Sequence, residues 1–253
     1  MLQAASNTHD DHYLGEMSTS AQSLIGAIDD GKKHLLLAAS GSVATIKIPV
    51  IVEALSRHTE NLAIRIVFTK SATAFLNGQS NEQPTVSSLL HLPNVEAVYL
   101  DEDEWGHHPW RRGASILHIE LRRWADLLVI APLSANTLAK LANGMSDNLL
   151  TSIVRAWDTE GTIDLKKKYI AVAPAMNSAM WRHPITAKQI KTLSEDWGVK
   201  EGTSTEDVAG GWFQVIPPIS KTLACGDTGD GAMASVQTIC EVIEHRLGLN
   251  RAD

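Results

Sequence analysis

The chain has 253 residues, of which 44% are apolar and 20% charged, and its formal net charge at pH 7 is −7. This acidic balance argues against a nucleic acid or an anionic membrane surface as the main partner. No apolar run reaches the length that a membrane-spanning helix needs. The two cysteines, Cys225 and Cys240, are too few for a disulfide framework and lack metal-ligand spacing, which favours a cytoplasmic protein without a metal.

The first segment, residues 1–30, is polar and has neither a basic start nor an apolar block. It is therefore not typical of a secretory signal, and we interpret it as a disordered or adherent arm. No linker, repeat or low-complexity block divides the remaining chain, so residues 31–249 are predicted to form one domain.

The domain begins with a strand, a small-residue turn and a helix. An apolar run at 34–39 is broken by Ser40, Gly41 and Ser42, and residues 43–56 then have helical spacing from Val43 onwards. This order is typical of the first unit of a parallel sheet. The turn suits a phosphate, because a helix start leaves backbone N–H groups unpaired and Gly41 allows close approach. An ordinary turn explains the same residues equally well.

A second buried strand is predicted at 62–68, and hydroxyls follow its carboxyl end at Thr69 and Ser71. A helix is predicted to start at 72–76. Residues 77–94 are rich in Asn, Gln, Ser and Pro, which predicts a loop.

A shorter strand is predicted at 95–100, before the acidic run Asp101–Glu104 and the histidines His107 and His108. Carboxylates beside paired histidines could bind a metal. The spacing lacks the i, i+4 pattern of a helical metal site, so a solvated loop is the favoured interpretation.

His118 lies in a helical or turn segment before another buried strand, predicted at 127–131 and ended by Pro132. A single histidine of this kind can be structural or catalytic. The strand is followed by a polar cluster that opens a helix: Ser134, Ala135, Asn136 and Thr137. Clusters after three strands meet at one sheet edge, which predicts a pocket there.

The stretch Pro174–Trp181 follows the apolar run 169–173, which predicts another buried strand. It places Asn177, two methionines and a tryptophan at the same edge of the sheet. Asn177 can hold a carboxylate or amide through its donors and its acceptor. Thioethers and an indole can pack against a flat ring, although such residues more often belong to a core.

A glycine-rich segment, 223–234, follows near the end of the chain, with Cys225 at its root. A mobile flap that carries a thiol and a buried structural cysteine are both compatible with this pattern. An amphipathic helix is predicted at 236–247, with Cys240 on its apolar side as a packing residue.

Three of these motifs resemble one known family. Pro174–Trp181 fits the P-x-M-N-x-x-M-W signature of the homo-oligomeric flavin-containing cysteine decarboxylases. Leu117–Asn143 and Asp147–Asp158 are similar to the eukaryotic phosphopantothenoylcysteine decarboxylases, which include the plant and fungal halotolerance proteins. Leu223–Ala234 resembles the substrate-covering flap of that family. The motifs occur in the family's order, and the resemblance covers about residues 33–245.

The resemblance implies a single-domain α/β fold with a flavodoxin-like (Rossmann-like) doubly wound parallel sheet in three layers. It implies bound FMN and a homotrimer with sites between subunits, so that His118 would enter the site of a neighbouring chain. Compared with short family members, residues 77–114 and 201–212 are insertions, and Ser235 replaces a common acidic residue.

The resemblance also implies roles for individual residues. The catalytic set is His118, Asn177 and Cys225. The FMN-binding set is Gly41, Ser42, Val43, Thr69, Ser71, Ser134, Ala135, Asn136, Thr137 and Ala175. The substrate-binding set is Asn177, Met180, Lys221, Ala224, Gly231 and Met233.

The implied reaction is the conversion of 4′-phospho-N-pantothenoylcysteine to 4′-phosphopantetheine in coenzyme A biosynthesis. A cysteine carboxylate does not lose CO₂ readily, because the resulting carbanion has no electron sink. Oxidation of the thiol to a thioaldehyde would create that sink, and the enethiol left after CO₂ loss would then be reduced again. We hypothesise that Cys225 supplies the last proton.

Three other functions share parts of the pattern. Some fungal relatives inhibit a Ser/Thr phosphatase, but the presence of His118, Asn177 and Cys225 in one chain favours a self-sufficient enzyme. A flavin prenyltransferase would not be expected to carry both Pro174–Trp181 and the Cys225 flap. A peptide-cysteine decarboxylase is disfavoured by the eukaryote-like block Leu117–Asn143.

Overall fold

A six-stranded parallel sheet organises the protein. The structure, a computed structural model, describes residues 30–105, 111–200, 210–222 and 228–249. The predicted arm, apart from its last residue, lies outside these ranges. The described strands are β1 (Lys33–Ala39), β2 (Leu62–Phe68), β3 (Asn77–Ser80), β4 (Gln83–Thr85), β5 (Val95–Tyr99), β6 (Leu127–Leu133), β7 (Tyr169–Pro174), β8 (Phe213–Val215), β9 (Ile219–Thr222) and β10 (Thr228–Ala232).

The spatial order of the sheet is β5-β2-β1-β6-β7-β8, and all neighbouring strands are parallel. The sheet thus extends from β1 through β2 to β5 at one edge, and from β6 through β7 to β8 at the other. The two directions part between β1 and β6, the switch point where ligands bind in open α/β sheets. The predicted doubly wound parallel fold is confirmed.

The described α-helices are α1 (Ile48–Ala54), α2 (Lys70–Thr73), α3 (Leu117–Trp124), α4 (Ala135–Ala142), α5 (Leu149–Arg155), α6 (Ser178–Arg182), α7 (Pro184–Lys191) and α8 (Val236–Leu247). Short 3₁₀ segments lie at Val43–Lys47, Ser56–His58, Ser87–His91 and Asp101–Glu104, and a π-helical turn lies at Thr192–Asp196. None of the helices in the described ranges is long and apolar enough to cross a bilayer.

Helices cover both faces of the sheet. In β1, Leu35 and Leu37 pack in the core layer that contains α1 and α8, whereas Leu36 and Ala38 face the layer that contains α3, α4 and α5. A strand that is covered on both sides can be apolar at nearly every position, which explains the apolar runs at 35–39 in β1 and along the whole of β6; Arg65 is the one charged residue of β2.

The helix predicted over 43–56 is divided into two parts. A 3₁₀ segment, Val43–Lys47, precedes α1, and Pro49 lies in the first turn of α1. Proline lacks an N–H and is best tolerated in the first turn of a helix, so the regular α-helix begins beside it.

The prediction of a loop over 77–94 was wrong, because two strands lie there, and the helix predicted to start at 72–76 was placed too late in the chain. The strands β3 and β4 form an antiparallel hairpin, and α2 ends at Thr73. All four residues of β3 are exposed. An exposed strand has no buried face and therefore no apolar alternation by which the sequence could reveal it.

Pro132 lies within β6 rather than after it, because the strand continues to Leu133 with a register shift against β7. The Pro132 carbonyl remains available and accepts a bond from the backbone N–H of Ser40, at 3.0 Å. The fully buried Ser40 hydroxyl also donates to this carbonyl at 3.0 Å and accepts from the Ser134 N–H at 2.8 Å. Ser40 therefore joins β1 to β6 at the switch point.

The closing helix α8 forms hydrogen bonds with the 3₁₀ segment that follows α1. The buried Glu244 carboxylate accepts from Arg57 and, at 2.8 Å, from His58 Nε2. Burial raises the pKa of Glu244, but the bonds from His58 and Arg57 outweigh it and the net pKa is lowered.

On the same helix Cys240 is buried in the core as predicted, and burial raises its thiol pKa to about 11.

We predict that Ser40→Ala lowers the free energy of unfolding by about 1–3 kcal/mol, because the buried Ser134 N–H loses its acceptor. Urea unfolding followed by circular dichroism measures the loss. Ser194→Ala, the same change at an exposed position, is the control and should shift stability by less than about 0.5 kcal/mol. Equal stability of the two variants would contradict the role of Ser40.

We predict that Glu244→Gln lowers the free energy of unfolding at pH 7 by about 1–3 kcal/mol. A lowered folded-state pKa means that the ionised Glu244 stabilises the protein above its unfolded pKa, and that this stability is lost as the pH falls through the folded pKa. Urea midpoints of wild type and variant should therefore converge below about pH 4. Glu241→Gln changes an exposed position of the same helix and should leave the urea midpoint nearly unchanged. A difference between wild type and Glu244→Gln that stays constant at all pH values would refute the linkage.

Candidate functional site

The turns after β1 and β2 contact each other at the carboxyl edge of the sheet. The Thr69 N–H donates to Ala39 O at 3.1 Å, and the hydroxyls of Thr69 and Ser71 lie 3.2 Å apart. A Cβ placed on Gly41 would lie 2.6 Å from Ser71 Oγ, so only glycine allows the two turns to approach this closely. The close approach brings predicted FMN-binding residues of two separate turns together.

The turn after β6 lies beside them, because its Ser134 N–H binds the Ser40 hydroxyl. Ser134 Oγ caps α4 by accepting from Thr137 N at 3.3 Å. The side chains of Ser134 and Thr137 are buried, whereas Ala135 is half-buried and Asn136 is exposed. Asn136 is thus the residue of this turn whose side chain can reach a ligand, and the other polar side chains shape the turn.

These turns fit the phosphate-bearing end of a flavin. Ser42 caps the 3₁₀ segment by accepting from Ala44 N at 3.4 Å, and Val43 beside it is 46% exposed. The Ser71 side chain is also exposed. Exposed hydroxyl and amide groups around a glycine that leaves the backbone open are the donors that a phosphate needs.

The strand β7 ends beside the same turns. Ala175 is buried, and its N–H donates to Leu133 O at 2.9 Å. Met176 is also buried, within the core layer of α3, α4 and α5, so it packs as a core residue instead of projecting towards a ring. Ala175 therefore marks the point where the β7 backbone can face a flavin.

Asn177 has a structural bond as well as a predicted catalytic role. Its Oδ1 accepts from Met180 N at 2.8 Å and caps α6, while the residue as a whole is exposed. Met180 is 51% exposed beside it. Capping directs the amide oxygen into the helix, and this leaves the amide nitrogen of Asn177 as the group suited to a ligand.

The hairpin of β9 and β10 holds the base of the predicted flap against α6. Gly231 O accepts from Met176 N at 2.9 Å, and Gly231 has the left-handed φ of +100°. A Cβ at Gly231 would lie 2.7 Å from Met176 O, so a side chain would separate the hairpin from β7. Met233, which follows the hairpin, is buried in the core. Of the predicted substrate-binding residues, Gly231 is thus held against Met176, whereas Met233 packs in the core layer that contains α1 and α8.

An ion pair strengthens this attachment. Asp230 accepts from the Ser220 hydroxyl at 2.6 Å and from Arg182 Nη2 at 3.0 Å. The bond from Ser220, followed by that from Arg182, holds the pKa of the Asp230 carboxyl below its usual value. Sequence reasoning missed this pair, because the partners are far apart in the chain and have no common motif. Ala224 and Cys225 lie outside the described residues, as does the side chain of Lys221.

His118 lies at the start of α3, and its partner corrects the prediction for the acidic run. Glu104 Oε1 is 2.6 Å from His118 Nδ1, and the side chains of Glu104 and His118 are only 6% and 21% exposed. The solvated loop predicted for Asp101–Glu104 is therefore wrong at Glu104. No hydrogen bond within the described ranges links His118 to Asn177.

The remainder of the acidic run is structural. Asp101 accepts from Lys70 N at 2.9 Å and from Leu149 N at 3.3 Å, and so connects the starts of α2 and α5. His107 and His108 lie outside the described residues. Within the described ranges, no group of three metal-binding side chains exists.

The Flavoprotein family matches residues 26–248 of the chain. Phosphopantothenoylcysteine decarboxylase from Oryza sativa subsp. japonica is 44% identical over 221 residues, which cover 87% of this chain and 82% of that protein. A solved structure of a cysteine-to-serine mutant of PPC decarboxylase, complexed with pantothenoylaminoethenethiol, is 44% identical with a TM-score of 0.65, and the match covers 85% of this chain and 97% of that one. The FMN-binding protein AtHal3 is 43% identical with a TM-score of 0.64, covering 87% and 98% of the two chains. The chain therefore belongs to the Flavoprotein family, where it groups with relatives named phosphopantothenoylcysteine decarboxylase.

Proposed function

We propose that the protein is an FMN-dependent phosphopantothenoylcysteine decarboxylase, which forms 4′-phosphopantetheine for coenzyme A biosynthesis. One observation carries the proposal: the turns after β1, β2, β6 and β7 meet at one sheet edge and carry a flavin-compatible set of residues beside Asn177. The solved relative that binds pantothenoylaminoethenethiol supports the substrate class, because that ligand is an enethiol of the expected type.

Gly41, Ser42, Ser71 and Asn136 would hold the FMN phosphate end, and Ala175 would face the flavin ring. FMN supplies reversible two-electron chemistry when it is bound. The hydrogen bonds of the buried Ser40 keep the turns after β1 and β6 in place, so binding requires little rearrangement of the sheet edge.

The chain's own groups orient the substrate and move protons. The Asn177 amide nitrogen would donate to the substrate carboxylate or amide, since its oxygen already caps α6. His118 would accept the thiol proton as the substrate is oxidised. After CO₂ loss, the Cys225 thiol would supply the proton that completes reduction of the enethiol.

The site would be shared between the subunits of a homotrimer, with His118 supplied by a neighbouring chain. The exposure of Asn177 and Met180 supports this arrangement, because a neighbouring chain can reach both side chains. The predicted cytoplasmic location and the possible phosphatase partner stay predictions.

The direct test uses purified yellow protein with 4′-phospho-N-pantothenoylcysteine. We expect CO₂ and 4′-phosphopantetheine in equal amounts. Cys225→Ser should still release CO₂ but accumulate an oxidised enethiol product, because the last proton donor is lost. Mass spectrometry distinguishes the two products. Normal 4′-phosphopantetheine yield from the variant would reject the role of Cys225, and no CO₂ from the wild type would reject the proposed function.

His118→Asn should lower kcat/KM about 10²- to 10⁴-fold while flavin absorbance is kept, because the base is lost and the flavin turns are unchanged. Full activity would reject this role. Co-expression of His118→Asn with Cys225→Ser tests the shared site. If neighbouring chains supply His118, mixed trimers contain some sites with both His118 and Cys225 intact, and product formation should return. A mixture that forms no 4′-phosphopantetheine would contradict sharing between chains.

A further inference from the structure

We propose that Glu104 is a positioning residue that fixes the tautomer of His118 and thereby prepares it as a base; this inference rests on the proposed function. The two side chains meet through a single contact of 2.6 Å between Glu104 Oε1 and His118 Nδ1. The residues are 14 positions apart and lie on different elements. The contact is thus made by tertiary folding and does not follow from local helical spacing.

Burial separates this pair from an ordinary surface ion pair. The Glu104 side chain is 6% exposed, and its second oxygen, Oε2, is buried and accepts no hydrogen bond in the described part of the chain. A buried carboxylate is costly unless it is paired. His118 is the partner that the structure places on this group. The contact with His118 therefore offsets the free-energy cost of burying the carboxylate.

The start of the segment that carries Glu104 is anchored by hydrogen bonds. The carboxylate of Asp101 accepts from Lys70 N and from Leu149 N, and Asp103 Oδ2 accepts from Leu100 N at 2.7 Å. The two bonds to Asp101 connect the 3₁₀ segment to the starts of α2 and α5, and the bond to Asp103 caps the start of the segment itself. A carboxylate on such a segment has a defined position, which is what orientation of an imidazole requires.

The donor and acceptor groups of this contact indicate which tautomer His118 adopts. An ionised carboxylate accepts hydrogen bonds and cannot donate them, so the proton of this contact belongs to His118 Nδ1. In the neutral ring, Nε2 then has a free lone pair and can accept the proton of a substrate thiol. The imidazolium formed in that step carries one positive charge beside Glu104, which stabilises it, as carboxylates do in other carboxylate–histidine pairs.

The first test needs no activity. Nitrogen-15 NMR of histidine-labelled flavoprotein reports the tautomer of each ring, and His118→Asn identifies the His118 signals among the ten histidines. We expect Nδ1 of His118 to be protonated and Nε2 unprotonated in the wild type. In Glu104→Leu, which has no acceptor, the ring should change to a mixture of tautomers. A wild-type ring with its proton on Nε2 would overturn the inference.

The second test measures kinetics at a fixed pH. Glu104→Gln keeps the size of the side chain and removes its charge; we expect kcat to fall at least about tenfold with KM and bound flavin little changed. Glu104→Asp restores the charge on a shorter stem and should recover part of kcat. Glu102→Gln, at an exposed position of the same segment, is the matched control and should behave as wild type.

The outcomes separate this inference from the proposed function. An inactive wild type whose His118 tautomer depends on Glu104 would reject the decarboxylase proposal and keep the pairing. An active wild type with unchanged kcat in Glu104→Gln and Glu104→Asp would keep the decarboxylase and overturn the positioning role. If Glu104→Leu does not fold, the kcat values of the Gln and Asp variants decide the question.

Discussion

The hydroxyl of Ser40 is the contact on which the candidate site most depends. It lies at the switch point of the sheet, where β1 and β6 are neighbours but their following turns leave in different directions. It donates to Pro132 O and accepts from the Ser134 N–H, so hydrogen bonds within the protein connect the two strands at this point. The turn after β2 is attached through Thr69 and the turn after β7 through Ala175. The Ser40 bonds and these two backbone bonds together set the spacing of the predicted flavin-binding turns.

A second set of contacts attaches the chemistry to this frame. Asn177 caps α6, and α6 holds the β9–β10 hairpin through Arg182 and Asp230. The hairpin carries the base of the predicted Cys225 flap. On the other side of the carboxyl edge, Glu104 holds His118 at the start of α3. The structure therefore divides the site into a rigid flavin-binding edge and two groups of reactive residues, and the proposed trimer would bring those groups together.

Most of the sheet could be predicted from the sequence, because β1, β2, β6 and β7 are buried on both faces and are apolar at most positions. Elements with little burial were harder to predict. The hairpin of β3 and β4 was missed because it is exposed, and β6 was ended too early at Pro132, whose carbonyl still pairs within the switch point. The placement of the flavin turns followed from the sheet, since all parallel strands end at the same edge.

The sequence by itself determined the order of the strands and turns, the polar residues that follow each strand, and the motifs around Asn177 and Cys225. Local patterns are enough for this, because burial on a regular strand or helix repeats with a short period. Only the tertiary structure decided that Glu104 is buried against His118, that Ser40 joins two strands, and that Arg182 holds Asp230. Each of these pairs joins residues that are 14 or more positions apart. Their distance in space depends on how whole elements pack, and no local periodicity records it.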